Sequence, residues 1–153
     1  MPTLAIYEQL EKDLAEDFKE LRIRESLYVS PRFIWEALIQ NLEMQIVEGG
    51  GTYKDFEGGI RSGDFRITIG IFYTSIFDAQ SKFRDGLLRD TQNIYTLKER
   101  VITSLEGSFL TDHLLTRPLR VVDEAPVIDN PKFNKWLLKT VSFVGGHNAE
   151  RPR

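Results

Sequence analysis

The chain has 153 residues, 41% of them hydrophobic and 28% charged, with a formal net charge of -3. This is the make-up of one globular domain long enough to bury a real core, without the global basic footprint of a nucleic-acid-binding protein. The absence of cysteine excludes disulfides, zinc-thiolate sites and a cysteine nucleophile.

No segment is apolar for long enough to span a membrane as a helix. Met1 to Leu14 mixes acids among its apolar residues and lacks a signal-peptide pattern, which predicts a cytosolic or cytosol-assembled protein. Residues 3–22 read as an amphipathic helix. Tyr7, Leu10, Leu14, Phe18 and Leu21 recur at three- and four-residue intervals, and Glu8, Glu11, Asp13, Glu16, Asp17 and Glu20 supply an acidic opposite side. That side reads as a solvated helix face, or else as a surface for a basic partner.

Glu25 to Val29 suits a short strand. Residues 30–47 carry two patterns. Ser30 as N-cap and Pro31 as first helical residue favour a helix through Ile34, Trp35, Leu38, Ile39, Leu42 and Ile46, which the glycines at 49–51 would end. Ile34, Leu38, Leu42, Met44 and Ile46 also share strand parity. The stretch 49–63 is the richest in glycine. It reads as a long flexible hairpin connection, or as a binding loop with Tyr53 and Phe56 as anchors and Lys54 and Arg61 as charged contacts. It has no phosphate-cradle motif.

The clearest structural signal is 65–74. Phe65, Ile67, Ile69, Ile71 and Tyr73 alternate with Arg66, Thr68, Gly70 and Thr74, the period of a strand with one apolar side. Phe72 breaks the polar side, as a lone surface aromatic or as part of a second buried surface such as a subunit contact. Residues 75–88 are weakly patterned. Ile94, Leu97, Val101 and Leu105 then predict a second major helix over 90–106, stopped at Gly107. Residues 108–116 read as a short connection or a turn of helix, 119–124 as a strand and 125–131 as a turn-rich bridge.

Residues 134–144 form a strong strand with apolar residues on both sides, as expected when a strand is covered twice. Residues 145–153 read as a mobile tail ending in Arg151-Pro152-Arg153. The whole is a single α+β domain over 1–144, a mainly antiparallel sheet flanked by two major helices, followed by a flexible tail over 145–153.

Chemistry is sparse. His113, in a short connection, and His147, in the tail, have no metal-ligand spacing and read as lone exposed histidines. No serine lies in G-x-S-x-G. Asp123, Glu124 and Asp129 are acidic, but adjacent strand residues point to opposite faces and do not converge on a cation. Arg117, Arg120, Arg151 and Arg153 make the C-terminal third locally basic, as a solvated edge or as a contact for an acidic protein surface or passing DNA. Nothing in this inventory requires catalysis or a cofactor; the residues point to binding.

Three passages, Arg61 to Phe72, Asn93 to Leu105 and Asn134 to Val144, occur in the order strand, main helix, closing strand, after an N-terminal helix and a glycine-rich hairpin. This order over nearly the whole chain resembles the tail-terminator (tail-completion) proteins of long-tailed bacteriophages. That family places a strand between its first helix and the hairpin loop, so a helix over 31–47 would be a departure. The resemblance implies a ring of identical subunits, commonly six, that caps the tail tube and joins it to the neck of the filled head. The partners implied are the chain itself, the tail tube protein, a neck or head-completion protein and the sheath, with DNA only passing through the lumen. No cofactor, metal or catalytic residue is implied. The interface would fall to Tyr53, Lys54, Phe56 and Arg61 of the loop, Phe72 of the strand, and Arg151 and Arg153 of the tail. The location would be the tail–neck junction of the virion, after assembly in the host cytoplasm. Alternatives are another neck or head-completion protein, or a small cytosolic ligand-binding domain or enzyme with its site under 49–63.

Overall fold

The strand expected at 65–74 is the middle of a longer one. The computed structural model describes residues 4–19, 27, 29–36, 42–55, 60–73, 94–125, 128–130 and 135–150. In it β3, named in chain order with the other strands, runs from Ile60 to Tyr73 and is paired on both sides. Its neighbours β2 (Leu42–Asp55) and β6 (Lys135–Glu150) are both antiparallel to it. Among the described residues the sheet has six strands, five of them in the order β1-β2-β3-β6-β4, with β1 at Val29–Ser30 and β4 at Arg117–Ala125. β5 (Ile128–Asn130) also pairs with β6. Among the described residues only the β1–β2 pair is parallel.

The helical layer covers one face. Helix α1 spans Leu4–Asp17 and α2 spans Ile94–Leu105. Ile6, Leu10 and Leu14 of α1, with Phe18 just beyond it, form one core cluster with Leu97, Val101 and Leu105 of α2. The sheet contributes Met44, Ile46, Phe65, Ile67, Ile69, Ile71, Val141 and Phe143 to the same cluster. Each such side chain removed from water contributes about 1.5–3 kcal/mol, so the helical spacing of α1 and α2 and the period of two in β3 are read out by one apolar interior. The acidic side of α1 is partly tied down. Asp13 accepts from the Thr111 amide (3.2 Å) and hydroxyl (2.9 Å), and Glu11 accepts from the Val29 amide at 2.7 Å. Asp17 bonds the Ser104 hydroxyl, while Arg100 donates to the Asp17 carbonyl at 2.9 Å and lies 4.5 Å over the Phe18 ring.

The expectation of a helix over 30–47 fails where the structure describes it. Ser30 belongs to β1, residues 31–36 are an irregular strap, and β2 begins at Leu42. Residues 37–41 lie outside the described residues. The parity set prevails because Met44 and Ile46, both fully buried, complete the sheet side of the core, and the ladder to β3 satisfies the backbone that a helix would otherwise satisfy within itself.

The sheet's other face explains Phe72. It is buried, not a surface aromatic or a subunit contact, and its cover is the chain's own strap. Phe33 and Trp35 pack edge-on to its ring with centroids 5.4 and 5.3 Å away. Gly70 leaves room for this, since a Cβ there would meet the Phe33 ring at 2.5 Å. Gln45 holds the strap like a strand partner: its side-chain oxygen accepts from the Ile34 amide (2.7 Å) and its nitrogen donates to the Ile34 carbonyl (2.8 Å). The same Gln45 nitrogen donates to the buried Glu43 carboxylate at 2.7 Å.

The double cover expected for 134–144 is present. A register shift in β6 puts Leu138 in the core cluster with Val141 and Phe143, while Leu137 stands opposite Phe72. The bridge at 125–131 contains β5. The weakly patterned 75–88 lie outside the described residues.

Candidate assembly surface

The stretch read as a glycine-rich loop is, for most of its length, strand. β2 continues to Asp55 and β3 starts at Ile60, so only 56–59 separate them, and those lie outside the described residues. The glycines serve a bulge. The β2–β3 register shifts between Glu48 and Gly51, and Gly50 takes φ 78°, a left-handed conformation that costs glycine little.

The expected mobile tail is strand as well. From Gly145 to Glu150 the chain pairs with β3, ending in Ile60↔Glu150. The local composition offered nothing to pack, but the β3 edge supplies hydrogen-bond partners to the backbone itself. Only residues 151–153 of that segment lie outside the described residues.

These two corrections produce one feature. β1 ends opposite Val47 of β2, and β4 begins opposite Gly146 of β6. Beyond both ends three strands continue together in three complete rows: Tyr53/Gly63/His147, Lys54/Ser62/Asn148 and Asp55/Arg61/Ala149. With Ile60/Glu150 the arm runs four residues past the flanking strand β4, about 13 Å at strand rise.

The root of the arm is fixed from two sides. Arg117, the first residue of β4, donates from Nη2 to the Gly63 carbonyl (2.9 Å) and to Asp64 Oδ1 (2.7 Å), and from Nε to the same Asp64 oxygen (3.1 Å). It reaches Asp64 across Gly146, where a side chain would collide with the guanidinium. On the helical side His147 is buried, 1% exposed, with its ring 5.7 Å from Phe65, which in turn meets Tyr7 at 6.5 Å. His147 is therefore not the exposed tail histidine read from the sequence. Opposite it in register stands Gly63. His113 is exposed, as read, and lies against Phe109 with centroids 5.5 Å apart.

Of the seven candidate interface residues, three are brought into the arm by backbone register: Tyr53, Lys54 and Arg61. Phe72 is excluded by its burial within the chain, and Phe56, Arg151 and Arg153 lie outside the described residues. Sequence reasoning missed Asp64, Arg117 and Gly146 as a unit. The adjacent glycines 145 and 146 inside a strand-like run were the one available signal of close approach.

Asp123 and Glu124 are engaged by cations. Asp123 pairs with Arg66 (3.4 Å), and Glu124 with Lys139 (3.1 Å) and Lys98 (3.4 Å). The hydrogen bond from Lys139 first, and the charge of Lys98 beside it, hold the Glu124 carboxyl below its ordinary range against its partial burial. Lys98 is raised, mainly by its bond to Glu99 and then by the attraction of Glu124. Among the described residues no group of three His, Cys, Asp or Glu is placed to hold a metal ion. A hollow of about 280 Å³ beside the root is lined by Asp64, Arg117, Pro118, Arg120, Val144 and Gly145.

No protein-family model matches the chain, and no curated protein matches it.

Proposed function

We propose that the chain is a structural protein of a long-tailed bacteriophage: a tail terminator whose copies form a ring, commonly of six, on the end of the tail tube. The ring stops tube growth and presents a docking surface to the neck or head-completion protein, with the sheath around it and DNA only passing through. The work is assembly, without a cofactor or catalytic residue.

One observation carries this reading. The strand β2 stands between the first helix and the hairpin tip, where the sequence pattern had favoured a helix. With it the order of helix, hairpin strands, main helix and closing strands among the described residues is compatible with the resemblance, and the hairpin is an arm extending past its flanking strands. A three-stranded arm on a firm root suits a subunit that must reach its neighbours.

The test is assembly. Purified chain is weighed by mass photometry alone and after addition to polymerising tail tube protein, and viewed by negative-stain microscopy. The expected result is a ring near six times the 17.7 kDa subunit and tubes that stop growing when capped. Tubes that lengthen unchanged, with the chain monomeric throughout, would overturn the reading.

A further inference from the structure

We infer that the two edges of the arm are the two halves of one subunit contact, the outer edge of β6 in one copy pairing with the outer edge of β2 in the next. The inference rests on the ring reading and specifies which backbone makes the ring. Among the described residues no strand pairs with β2 beyond Val47 or with β6 beyond Gly146 on their outer sides. Each edge presents a row of backbone donors and acceptors, which is a template for another strand.

The occupant is a second copy because the edges match. Tyr53–Asp55 and His147–Ala149 stand in the same three rows, so the two edges are equal in length over that run. Both strands are antiparallel to β3, so they run in the same direction. Copies related by rotation about an axis along the arm therefore meet as β6 against β2 in a parallel pair. The two edges are different surfaces, so the contact is head-to-tail, and in the closed ring of the proposed function it leaves neither edge open. A foreign strand would satisfy one edge and leave the other.

The contrast with β4 supports the assignment. That outer strand carries Pro118 and two register shifts, between Arg117 and Arg120 and between Val121 and Asp123. Proline and bulges are devices that blunt an edge against strand addition. The rows of the arm contain neither a proline nor a register shift.

The chain has no cysteine, so introduced thiols report without background. Lys54 and Asn148 share a row but are two strands apart within one copy, about 9–10 Å, beyond the reach of a disulfide. Between copies joined as inferred they are neighbours. The double variant Lys54→Cys/Asn148→Cys, oxidised after assembly on tube ends, is expected to give a ladder of covalent oligomers ending at the ring number. The two single variants mixed together should give dimers and nothing larger. Amide hydrogen exchange on the unsubstituted chain gives an independent reading: outward amides of 53–55 and 147–150 should slow about tenfold or more on assembly. Rings visible by microscopy without a ladder and without this protection overturn the edge pairing and leave the ring reading standing. Absence of rings, capping and ladder overturns both.

Discussion

Arg117 and Asp64 are joined at 2.7 Å across a strand that lies between them, over the bare backbone of Gly146. Their side chains are about half exposed, so the ion pair itself contributes little, on the order of 0–1 kcal/mol. Gly146→Ala pushes the guanidinium, the far end of a flexible side chain, aside and should cost about what the broken pair contributes, on the order of 0–1 kcal/mol. Asp64→Asn weakens the same exposed pair and should cost a similar amount. Denaturant midpoints of the two variants check this, and a loss for Gly146→Ala well above that for Asp64→Asn would show that the guanidinium cannot move aside.

The strap and the sheet make a second close fit. Gly70→Ala places a Cβ against the Phe33 ring, an overpacking expected to cost about 1–3 kcal/mol. Phe33→Ala in the same chain should recover part of that loss, since it removes the atom in the way. The coupling in a double-mutant cycle is the measurement. Strict additivity would mean that the strap does not sit on Gly70 in solution.

Ile69 is fully buried at the centre of β3, between Ile46 and Val141 in register. Ile69→Ala should lower stability by about 2–5 kcal/mol, and Ile69→Asp should prevent folding, since it buries an unpaired charge. A soluble Ile69→Asp protein with an unchanged melting temperature would contradict the strand's place in the core.

The two histidines should separate. His147→Ala empties a buried site beside Phe65 and should lower the melting temperature measurably, whereas His113→Ala, at an exposed position, should leave it near the original. Thermal unfolding of the two single variants decides it; equal behaviour would place His147 outside the packed root.

Glu124 gives a pH signature. Its folded pKa lies below the ordinary 4.5, so its contribution to stability is present above the unfolded pKa and is lost as pH falls through the folded one. Lys98, raised above 10.5, contributes stability that is present below its unfolded pKa and is lost as pH rises through its folded one. Unfolding midpoints of Glu124→Gln should therefore fall below those of the native chain at neutral pH and converge with them in acid. A constant gap down through the acid range would deny the link to ionisation.

Residues whose local pattern and tertiary environment agree were legible in the amino-acid sequence. The stripe Leu97, Val101 and Leu105, the stripe Leu10, Leu14 and Phe18, and the alternation from Phe65 to Ile71 all mark the face that ends up buried. Period alone determines which side of an element turns from water, so two helices, a central strand and an α+β domain followed from the chain as written. Tertiary structure decided the rest, for reasons local pattern does not carry. Residues 42–47 satisfied two periods at once, and only the open edge of β3 chose between them. Gly145 to Glu150 had little to bury, yet pairing with β3 ordered their backbone. Phe72 was left between a surface aromatic and a second buried surface because its cover, Phe33 and Trp35, comes from a strap nearly forty residues earlier in the chain. Arg117, Asp64 and Gly146 became one unit only when three distant strands lay side by side. Hydrogen bonds and close approaches between strands depend on register, and register is a relation between segments that neither segment states alone.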